Sequence, residues 1–395
     1  MRIVWLASYP LNEIEDQLVL TGKVGLLTTN WLVNLAKGLS SIKEIDLHII
    51  THSAKIPYSQ EIKKDNITYH IIKYNFPFTN KGFPNKFRWD ILTLYYGFIK
   101  NALKEIKKIQ PDIIHAHGTE HAYSLCAYYS GIPNITSIQG IVSEIYKITP
   151  TFNFWLQKHI ENFSIKNNKH FGCRTDWDKN IIRGKNPESI IYYLPEIIND
   201  VFFNLKWQPI NDNTLLYVGS LTKHKGLDIL LYAIAELKSN LPEIKLRVIG
   251  QENSIFKKKL DVLINDLDIK SNIQFLGSKL SSEIASEMSK ATIYVHPSLI
   301  DNSPNSLCEA MAVGMPCVAS NVGGIPSIIE NTKNGILFNK GDAKSLSNSL
   351  KLLLTDRNKL SELGTIARET AKKWNSSETN IKITTDIYST LLNIS

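Results

Sequence analysis

Short apolar runs rich in β-branched residues alternate along this chain with longer runs whose apolar residues recur at helical spacing. This alternation is typical of βα units, which build parallel sheets covered by helices on both faces. The pattern begins at 2–8 and begins again at 214–219. Because 395 residues are too many for one ordinary core, two domains are expected. The sequence therefore predicts an α/β protein with two doubly wound domains.

The pattern predicts thirteen strands, at 2–8, 46–51, 67–74, 112–117, 134–139, 170–174, 190–194, 214–219, 245–250, 273–277, 292–297, 316–320 and 335–338. It predicts helices at Thr29–Leu39, Phe87–Ile109, Ala122–Ser130, Thr151–Lys166, Gly226–Ser239, Ile255–Leu267, Ser281–Ser289, Pro304–Val313, Ile325–Glu330, Ala343–Leu354 and 376–393. A polar stretch at 196–213 is expected to connect the two halves. In sheets of this kind, ligands bind beyond the carboxyl ends of the strands.

Composition narrows the class of protein. The apolar run "IVWLA" near the start is shorter than a membrane span or a signal-peptide core, so it is expected to be a strand of a mature cytoplasmic protein. The four cysteines have no metal-binding spacing and are expected to be buried. A formal charge of +8 favours anionic partners, including phosphorylated substrates and acidic lipid surfaces. Without an arginine-rich tract or a nucleic-acid-binding motif, no nucleic-acid partner is expected.

The stretch "HPSLIDNSPNSLCEAMAVGMPCVASNVGG" at 296–324 carries the strongest chemical signal. Ser303 is predicted to be a helix N-cap with Pro304 at the first helical position. The N–H groups of Asn305 and Ser306 would then point outward from the helix start. Unpaired donors and the helix dipole together favour an anion at such a position.

Asp301 and Glu309 lie eight positions apart on either side of that helix start. A diphosphate bound there would leave one carboxylate at each end to accept hydrogen bonds from hydroxyl groups. A nucleotide diphosphate sugar has this layout of ribose, diphosphate and sugar. The alternative is that Asp301 only caps the loop and Glu309 is a solvated helix residue.

The same stretch resembles the acid-x7-acid signature of the retaining glycosyltransferases of family 4. The segments "YVGSLTKHKGLDILLYAI", "RVIGQE" and "EAMAVGMPCVASNVGGIPSIIENTKNGILF" follow that family in order and spacing, whereas the first half matches chiefly at "PDIIHAHG". The resemblance implies two Rossmann-like domains facing across a cleft (the GT-B fold). An acceptor domain is expected at 1–200, a donor domain at 201–375, and a last helix at 376–395 that crosses back to the first domain.

The resemblance implies transfer of a sugar, with retention of its anomeric configuration, from a UDP- or GDP-sugar to a glycan or lipid-linked acceptor. Bacterial cell-surface polysaccharide synthesis, such as lipopolysaccharide or capsule, is the expected setting. No metal or other cofactor is implied. The enzyme is expected in the cytoplasm, in contact with the anionic inner face of the membrane.

The resemblance also implies roles for individual residues. Glu309 would hold the ribose, Asp301 the sugar hydroxyls and Lys225 the diphosphate. His117 would face the transferred sugar, so that His117, Asp301 and Lys225 form the catalytic group. Ser220 replaces the arginine usual in the family.

Because of that replacement, Lys223 or His224 is expected to supply the missing cation. The remaining donor-binding residues are implied to be Gly25 (with Gly22 as the alternative), Gly219, Ser220, Gly277, Ser278, Asn302, Ser303, Pro304, Asn305 and Ser306. Gln139, Glu144 and Arg174 follow strand ends of the first half and are candidates for acceptor binding.

Other signals are weaker. The DxD matches at 176–178 and 266–268 could suggest a manganese site, but Thr175 is predicted to cap a helix with Asp178 as its capping-box partner. His115 and His117 share one strand face without a third ligand at fixed spacing. A dehydrogenase is disfavoured because no GxGxxG follows the first strand or the strand at 214–219. An epimerase of the same fold and a non-catalytic nucleotide-sugar-binding subunit remain alternatives.

Overall fold

The computed structural model describes residues 1–23, 30–74, 89–209, 212–251 and 254–394. The chain divides into two compact units, Met1–Ile197 with Ser377–Ser395 and Ile198–Ser376. Each unit contains one sheet with apolar clusters on both of its faces. The predicted α/β class with two doubly wound domains is therefore confirmed.

Fourteen strands are present in the described residues. They are β1 (Arg2–Leu6), β2 (Asp46–Ser53), β3 (Gln60–Lys64), β4 (Ile67–Lys73), β5 (Ile113–His117), β6 (Asn134–Ser137), β7 (His170–Cys173), β8 (Ile190–Tyr193), β9 (Thr214–Val218), β10 (Lys245–Ile249), β11 (Ile273–Gly277), β12 (Ile293–His296), β13 (Cys317–Ser320) and β14 (Ile336–Phe338). The first sheet has the order β3-β4-β2-β1-β5-β6-β7-β8, and the second has the order β11-β10-β9-β12-β13-β14.

Every predicted strand is found, and β3 is an addition. It pairs antiparallel to β4 at the edge of the first sheet, whereas the other pairs in both sheets are parallel. Its sequence QEIKK is polar apart from the buried Ile62. A strand that buries a single side chain at a sheet edge lacks the apolar run by which the others are predicted.

Fifteen helices accompany these strands in the described residues. They are α1 (Asn30–Ser40), α2 (Trp89–Leu92), α3 (Tyr96–Ile109), α4 (Tyr123–Ser130), α5 (Val142–Ile148), α6 (Phe152–Asn167), α7 (Asp176–Lys185), α8 (Asp200–Asn204), α9 (Leu227–Lys238), α10 (Ser254–Asp266), α11 (Ser281–Lys290), α12 (Asn305–Val313), α13 (Ala343–Thr355), α14 (Arg357–Asn375) and α15 (Ser377–Ile394).

Two helix predictions are wrong in detail. The helix predicted at Phe87–Ile109 is broken within its described part, because Leu94 and Tyr95 have φ angles of 51° and 57° and interrupt the helix between α2 and α3. The helix predicted at Ile325–Glu330 is only a short 3-10 turn at Ile325–Ser327. In both places apolar spacing indicated a helix that the backbone conformation does not continue.

The side chains of β1 show how the first sheet is covered on both faces. Ile3 and Trp5 point to one face, where they pack in a cluster with α1 and α15. Val4 and Leu6 point to the opposite face, in a cluster with α3 and α4. The Trp5 indole donates a hydrogen bond of 2.9 Å to the Tyr388 hydroxyl of α15. The last helix is therefore part of the core of the first unit.

The second sheet is built in the same way. Leu215 and Tyr217 of β9 pack in a cluster with α9 and α13, and Leu216 and Val218 pack in a cluster with α11 and α12. Because all its strands are parallel, the loops that follow β9, β12 and β13 leave the sheet at one edge. No helix in the described part of the chain is both long and apolar enough to cross a bilayer.

Candidate functional site

Two neighbouring strand-end loops of the second unit bring Lys225 to Asp301. Strands β9 and β12 are paired, and the loop after β9 ends in a 3-10 turn at Lys223–Lys225. The Leu299 N–H in the loop after β12 donates a 2.8 Å hydrogen bond to the His224 carbonyl. The two loops are thus joined through their backbones immediately beside the two charged residues.

Two glycines allow this close packing. Gly226 has φ of +68°, and a Cβ there would lie 2.0 Å from the Pro297 carbonyl oxygen. Gly323, in the loop after β13, has φ of +54°, and a Cβ there would lie 1.9 Å from the Asp301 carbonyl oxygen. Both positions combine a left-handed backbone with direct backbone contact, so only glycine fits without rearrangement.

One oxygen of the Asp301 carboxylate has three partners. Oδ2 lies 2.6 Å from Lys225 Nζ, 3.0 Å from His296 Nε2 and 3.2 Å from Ser298 Oγ. Burial alone would raise the pKa of Asp301, but the Lys225 charge and the His296 hydrogen bond oppose it and hold the pKa below its ordinary value. Asp301 is therefore a half-buried carboxylate that is ionised at neutral pH.

A chain of polar side chains runs from Asp301 to the start of α12. His296 Nδ1 lies 3.1 Å from the Tyr294 hydroxyl, and that hydroxyl lies 2.8 Å from Ser306 Oγ. Burial lowers the pKa of His296, so its ring is neutral at pH 7. Burial also raises the pKa of Tyr294, and the nearby Glu309 carboxylate contributes to that rise. The structure thus links Asp301 to Ser306 through one buried Tyr-His pair.

Sequence reasoning did not identify His296 or Tyr294. Both lie on one face at the end of β12, where their alternation and the following Pro297 were visible in the sequence. The sequence predicted only a strand at 292–297, and the structure shows that strand to be buried. Their importance follows from their partners.

The helix start differs from the prediction by one residue. Pro304, with ψ of 116°, is outside the helix, and α12 begins at Asn305 without a side-chain cap. The prediction that Ser303 is the N-cap and Pro304 the first helical residue is therefore wrong, because the Pro304 backbone remains extended. Pro304 instead supplies the carbonyl that accepts from Leu307 and Cys308. The N–H groups of Asn305 and Ser306 precede the first intrahelical bonds.

The remaining predicted donor residues surround this helix start or follow strands of the same sheet. Asn302 and Pro304 are buried and Ser303 is half-buried, in the loop that joins Asp301 to α12. Gly219 follows β9 and Gly277 ends β11, on either side of β10. The next residue after each, Ser220 and Ser278, is exposed.

Ser220 lacks a charge at the position of the arginine usual in the family. Lys223 is exposed, and His224 is half-buried. Burial and the neighbouring Lys225 charge lower the pKa of His224, so its ring is neutral at pH 7. Of the two residues expected to replace the arginine, only Lys223 therefore carries a positive charge at neutral pH.

In the first unit, three predicted residues line one small cavity. His117 ends β5, Gln139 follows β6 and Arg174 follows β7, and Trp31 and Glu196 also line this cavity. Strands β5, β6 and β7 are neighbours in the sheet, which explains why residues distant in sequence meet here. Glu196 was not identified from the sequence, although it follows the end of β8.

His117 is buried among aromatic rings. Its ring stacks on His115 at 4.0 Å between centroids and lies edge-on to Trp5 at 4.5 Å. Burial lowers its pKa well below the ordinary value, and the Arg174 charge acts in the same direction. Neither ring nitrogen has a hydrogen-bond partner among the described residues. A neutral imidazole in this position can donate a hydrogen bond from one ring nitrogen and accept a hydrogen bond from a ligand hydroxyl at the other.

The positive charge of Arg174 is balanced by a neighbouring carboxylate, that of Glu196. Its guanidinium forms an ion pair with Glu196 and donates a hydrogen bond to the Gln139 side-chain oxygen. The side chains of Arg174 and Glu196 are both nearly inaccessible to solvent. The same group lies 5.5 Å from the Trp31 ring centroid. Recruitment of Arg174 to a phosphate would compete with Glu196.

The other predicted residues do not join these clusters. Glu144 is on α5, where it forms a 2.8 Å ion pair with Lys147, and it does not line the cavity. Gly25 lies outside the described residues. Gly22 is described and lies in the loop that follows β1.

The DxD matches behave as structural features. Thr175 and Asp178 form the predicted capping box at the start of α7, and Asp178 also accepts from the Arg174 N–H. Asp268 pairs with Lys238 at 3.0 Å. In the part of the chain that the structure describes, no three His, Cys, Asp or Glu side chains are grouped as a metal site would need.

Two family models match successive halves of this chain. The model for Glycosyltransferase Family 4 matches residues 28–199, and the model for Glycosyl transferases group 1 matches residues 204–370. The chain is 26% identical over 355 residues to an uncharacterized glycosyltransferase of Methanocaldococcus jannaschii, covering 86% of this chain and 88% of the relative. It is also 26% identical to the amylovoran biosynthesis glycosyltransferase AmsK of Erwinia amylovora, covering 66% of this chain and 60% of AmsK.

Solved structures match the whole chain in fold. Sucrose-phosphate synthase from Thermosynechococcus elongatus superposes with a TM-score of 0.82 and 16% identity, covering 100% of both chains. Anabaena HepE in complex with UDP gives a TM-score of 0.73 and 16% identity, covering 99% of this chain and 100% of HepE. At this level of identity the likeness shows a common fold.

Proposed function

Because this chain belongs to the glycosyltransferases of group 1, with a first half of the family 4 type, we propose that it transfers a hexose from a nucleotide diphosphate sugar, with retention, to a glycan or lipid-linked acceptor. The expected setting is bacterial cell-surface polysaccharide synthesis, as the name of its relative AmsK suggests. UDP is the favoured nucleotide because HepE, which shares the fold, was solved in complex with UDP.

The observation that carries this proposal is the Lys225–Asp301 pair beside the start of α12. A diphosphate at that start would meet the N–H groups of Asn305 and Ser306 and the Lys225 ammonium. Asp301 would accept from sugar hydroxyls through the carboxylate oxygen Oδ1, since Oδ2 already has three partners. Glu309 would hold the ribose further along the helix, at about 1.5 Å of rise per residue.

In this scheme the leaving diphosphate assists deprotonation of the acceptor, which attacks the same face of the sugar. Lys225 and the helix start stabilise the charge that develops on the diphosphate as the glycosidic bond breaks. Neutral His117 would position the transferred sugar through a hydroxyl group. Lys223 would supply the second cation in place of the family's arginine.

The scheme requires no divalent metal and no other cofactor. The proposed location of the enzyme is the cytoplasm. Turnover is therefore expected to be unchanged in the presence of a chelator, while loss of turnover that manganese restores would contradict it. Nuclear magnetic resonance of the product would give the anomeric configuration, and an inverted product would contradict retention.

Donor turnover tests the proposal directly. The protein is incubated with UDP-, GDP- and ADP-sugars, and released nucleoside diphosphate is measured together with donor affinity. Glu309→Ala and Lys225→Ala are expected to weaken donor binding at least tenfold, because each removes a charge-assisted contact. Glu330→Ala is the matched control, since Glu330 is an exposed acid of the same unit that pairs only with Lys333 in the ion pairs described.

The outcomes separate the alternatives. Micromolar donor binding without release or transfer for any donor would favour a non-catalytic subunit, for which the uncharged Ser220 is the motivating feature. An altered sugar that remains attached to the nucleotide would favour an epimerase. An unchanged donor affinity in Glu309→Ala would show that the ribose is held elsewhere.

A further inference from the structure

Helix α6 of the first unit buries three polar side chains beside Ile160 and Ile165, and it exposes three of its aromatic rings. Gln157, Glu161 and Ser164 are buried against the unit. Phe152, Trp155 and Phe163 are exposed by 49%, 42% and 44%. A helix on the surface of a water-soluble domain normally shows the reverse arrangement. The inverted polarity needs a physical explanation.

The inward face is fixed by specific hydrogen bonds. The Gln157 amide donates to the Tyr95 hydroxyl at 3.2 Å and to the Glu120 carbonyl at 3.1 Å. Glu161 accepts from the Val142 N–H at 2.8 Å and pairs with Lys185 at 3.1 Å. Rotating α6 to bury its aromatic residues would leave these buried polar groups without partners, which is costly. The aromatic residues are therefore held outside.

The exposed aromatic residues form one continuous surface. Phe152, Trp155, His159 and Phe163 follow helical spacing along one side of α6, and the Phe152 and Trp155 rings stack with 5.8 Å between centroids. Tyr128 of α4 extends the surface, because its ring lies 6.0 Å from that of Phe163. We call Phe152, Trp155, Phe163, Tyr128 and the neighbouring, exposed Tyr129 the aromatic stripe.

Positive charges border the stripe, and acidic charges are hidden. Residues 145–175 are all described, and Glu161, which is fully buried and paired, is the only acid among them. The same segment carries exposed lysines at 147, 166 and 169, and Lys158, whose ammonium lies 4.1 Å from the Tyr146 ring centroid. Lys147 pairs with Glu144, whereas Lys166 and Lys169 have no ion-pair partner among the described residues. The surface around the stripe therefore combines aromatic rings with these two unpaired cations.

We propose that the aromatic stripe docks on the surface of an anionic phospholipid bilayer. Trp, Tyr and Phe rings favour the boundary between headgroups and acyl chains, and lysines are attracted to anionic headgroups. Two copies of the chain packed stripe to stripe would instead bring these lysines together. Bilayer docking places the first unit, which carries the proposed acceptor residues, beside lipid-linked molecules. The proposal itself does not depend on the transferase chemistry.

Vesicle co-sedimentation of the full chain without donor tests the proposal. Vesicles of phosphatidylcholine alone are compared with vesicles that also contain phosphatidylglycerol, whose negative surface potential attracts lysines. The wild type is expected to sediment with the anionic vesicles and to dissociate progressively as salt rises. Absence of sedimentation with the anionic vesicles, or equal binding to both vesicle types, would overturn the proposal.

Matched variants locate the surface. Phe152→Ser with Trp155→Ser is expected to lower vesicle affinity at least tenfold while turnover of soluble donor is retained. Trp374→Ser is the control, because Trp374 of the second unit is similarly exposed at 37%. The double variant Lys166→Gln with Lys169→Gln is expected to reduce the salt-sensitive part of vesicle binding. Its control is Lys351→Gln with Lys372→Gln, which changes two exposed lysines of the second unit.

The remaining outcomes also decide the question. Equal vesicle binding by the aromatic variant and the wild type would overturn the assignment to α6. A wild type that is dimeric and becomes monomeric in the aromatic variant would identify a second copy as the occupant, and so would overturn it. If the variant Phe152→Ser with Trp155→Ser fails to fold, Phe163→Ser removes a single exposed ring. Its vesicle affinity is then compared with those of the wild type and Trp374→Ser.

Discussion

At the scale of single residues, Asp301 of the second unit is held in place by several partners. Its Oδ2 atom is surrounded by Lys225, His296 and Ser298, so the carboxylate can move little. The His296 ring and the Lys225 ammonium both lie within 3.0 Å of that oxygen, so a longer acid at this position would approach them.

Asp301→Glu is therefore expected to impair turnover although it keeps the negative charge. The extra methylene would push the carboxylate into Lys225 and His296, and overpacking of a filled site is unfavourable. Asp301→Asn is expected to lower turnover about 100-fold, within the range found when a preorganised charge or hydrogen bond is removed. Steady-state kinetics with the preferred donor measures both.

Glu283→Asp, which changes an exposed acid of α11, is the control for a one-carbon change in length. If Asp301→Glu turned over donor as fast as the wild type, the space beside His296 would not limit the length of the acid. A larger loss in Asp301→Glu than in Asp301→Asn would indicate that space limits the site more than charge does.

At the scale of elements, the donor site depends on how closely three loops pack. The loops after β9, β12 and β13 contact one another through backbone atoms, at Gly226 with Pro297 and at Gly323 with Asp301. The Gly324 N–H adds a 3.0 Å hydrogen bond to the Asp301 carbonyl. The positions of Lys225 and Asp301 thus follow from these backbone contacts.

Gly226→Ala is expected to lower both stability and donor affinity. Its control is Gly131→Ala. Gly131 has φ of +69°, almost equal to the +68° of Gly226, but a Cβ at Gly131 would meet no atom within 4 Å. Gly131→Ala should cost only the left-handed backbone penalty, roughly 1–2 kcal/mol. The excess loss in Gly226→Ala, measured by chemical unfolding, then reports the contact with Pro297.

Donor affinity provides the second readout. Gly131→Ala should bind donor like the wild type, whereas Gly226→Ala should bind more weakly because Lys225 is displaced from Asp301. Equal stability losses in the two variants, with unchanged donor affinity, would contradict the importance of this backbone contact.

At the scale of the whole molecule, buried histidines make stability depend on pH. His115 is inaccessible, with Nδ1 2.7 Å from the Tyr388 hydroxyl and Nε2 2.6 Å from Ser137 Oγ. Burial lowers its pKa to about 3. It links β5 to β6 and to α15, so its protonation state concerns the whole first unit.

Stability of the first unit is expected to fall as pH drops from about 6.5 towards 3. In this range the unfolded chain binds a proton at His115 that the folded chain does not, so each pH unit costs about 1.4 kcal/mol. His115→Gln should make this dependence shallower, whereas His159→Gln, at an exposed position, should not. Thermal unfolding between pH 7 and pH 4.5 measures the effect, and an unchanged slope in His115→Gln would contradict it.

Much of the fold could be predicted because the strands are apolar and regularly spaced. The polar edge strand β3 and the break at Leu94 and Tyr95 could not, since the first depends on pairing with β4 and the second on backbone conformation. At the site, Asp301, Glu309 and the helix start were visible locally. His296 and Glu196 were missed because their significance lies in partners brought close by the fold.

The sequence by itself determined the alternation of strands and helices, the helix start between two acids, and the resemblance that those features carry. These are local properties, set by side-chain periodicity and backbone preference. Only the tertiary structure placed Lys225 on Asp301 across 76 residues and buried Gln157, Glu161 and Ser164 of α6. The physical reason is that a buried polar group must find a partner, and its partner is chosen by which strand ends and helices the folded chain makes neighbours.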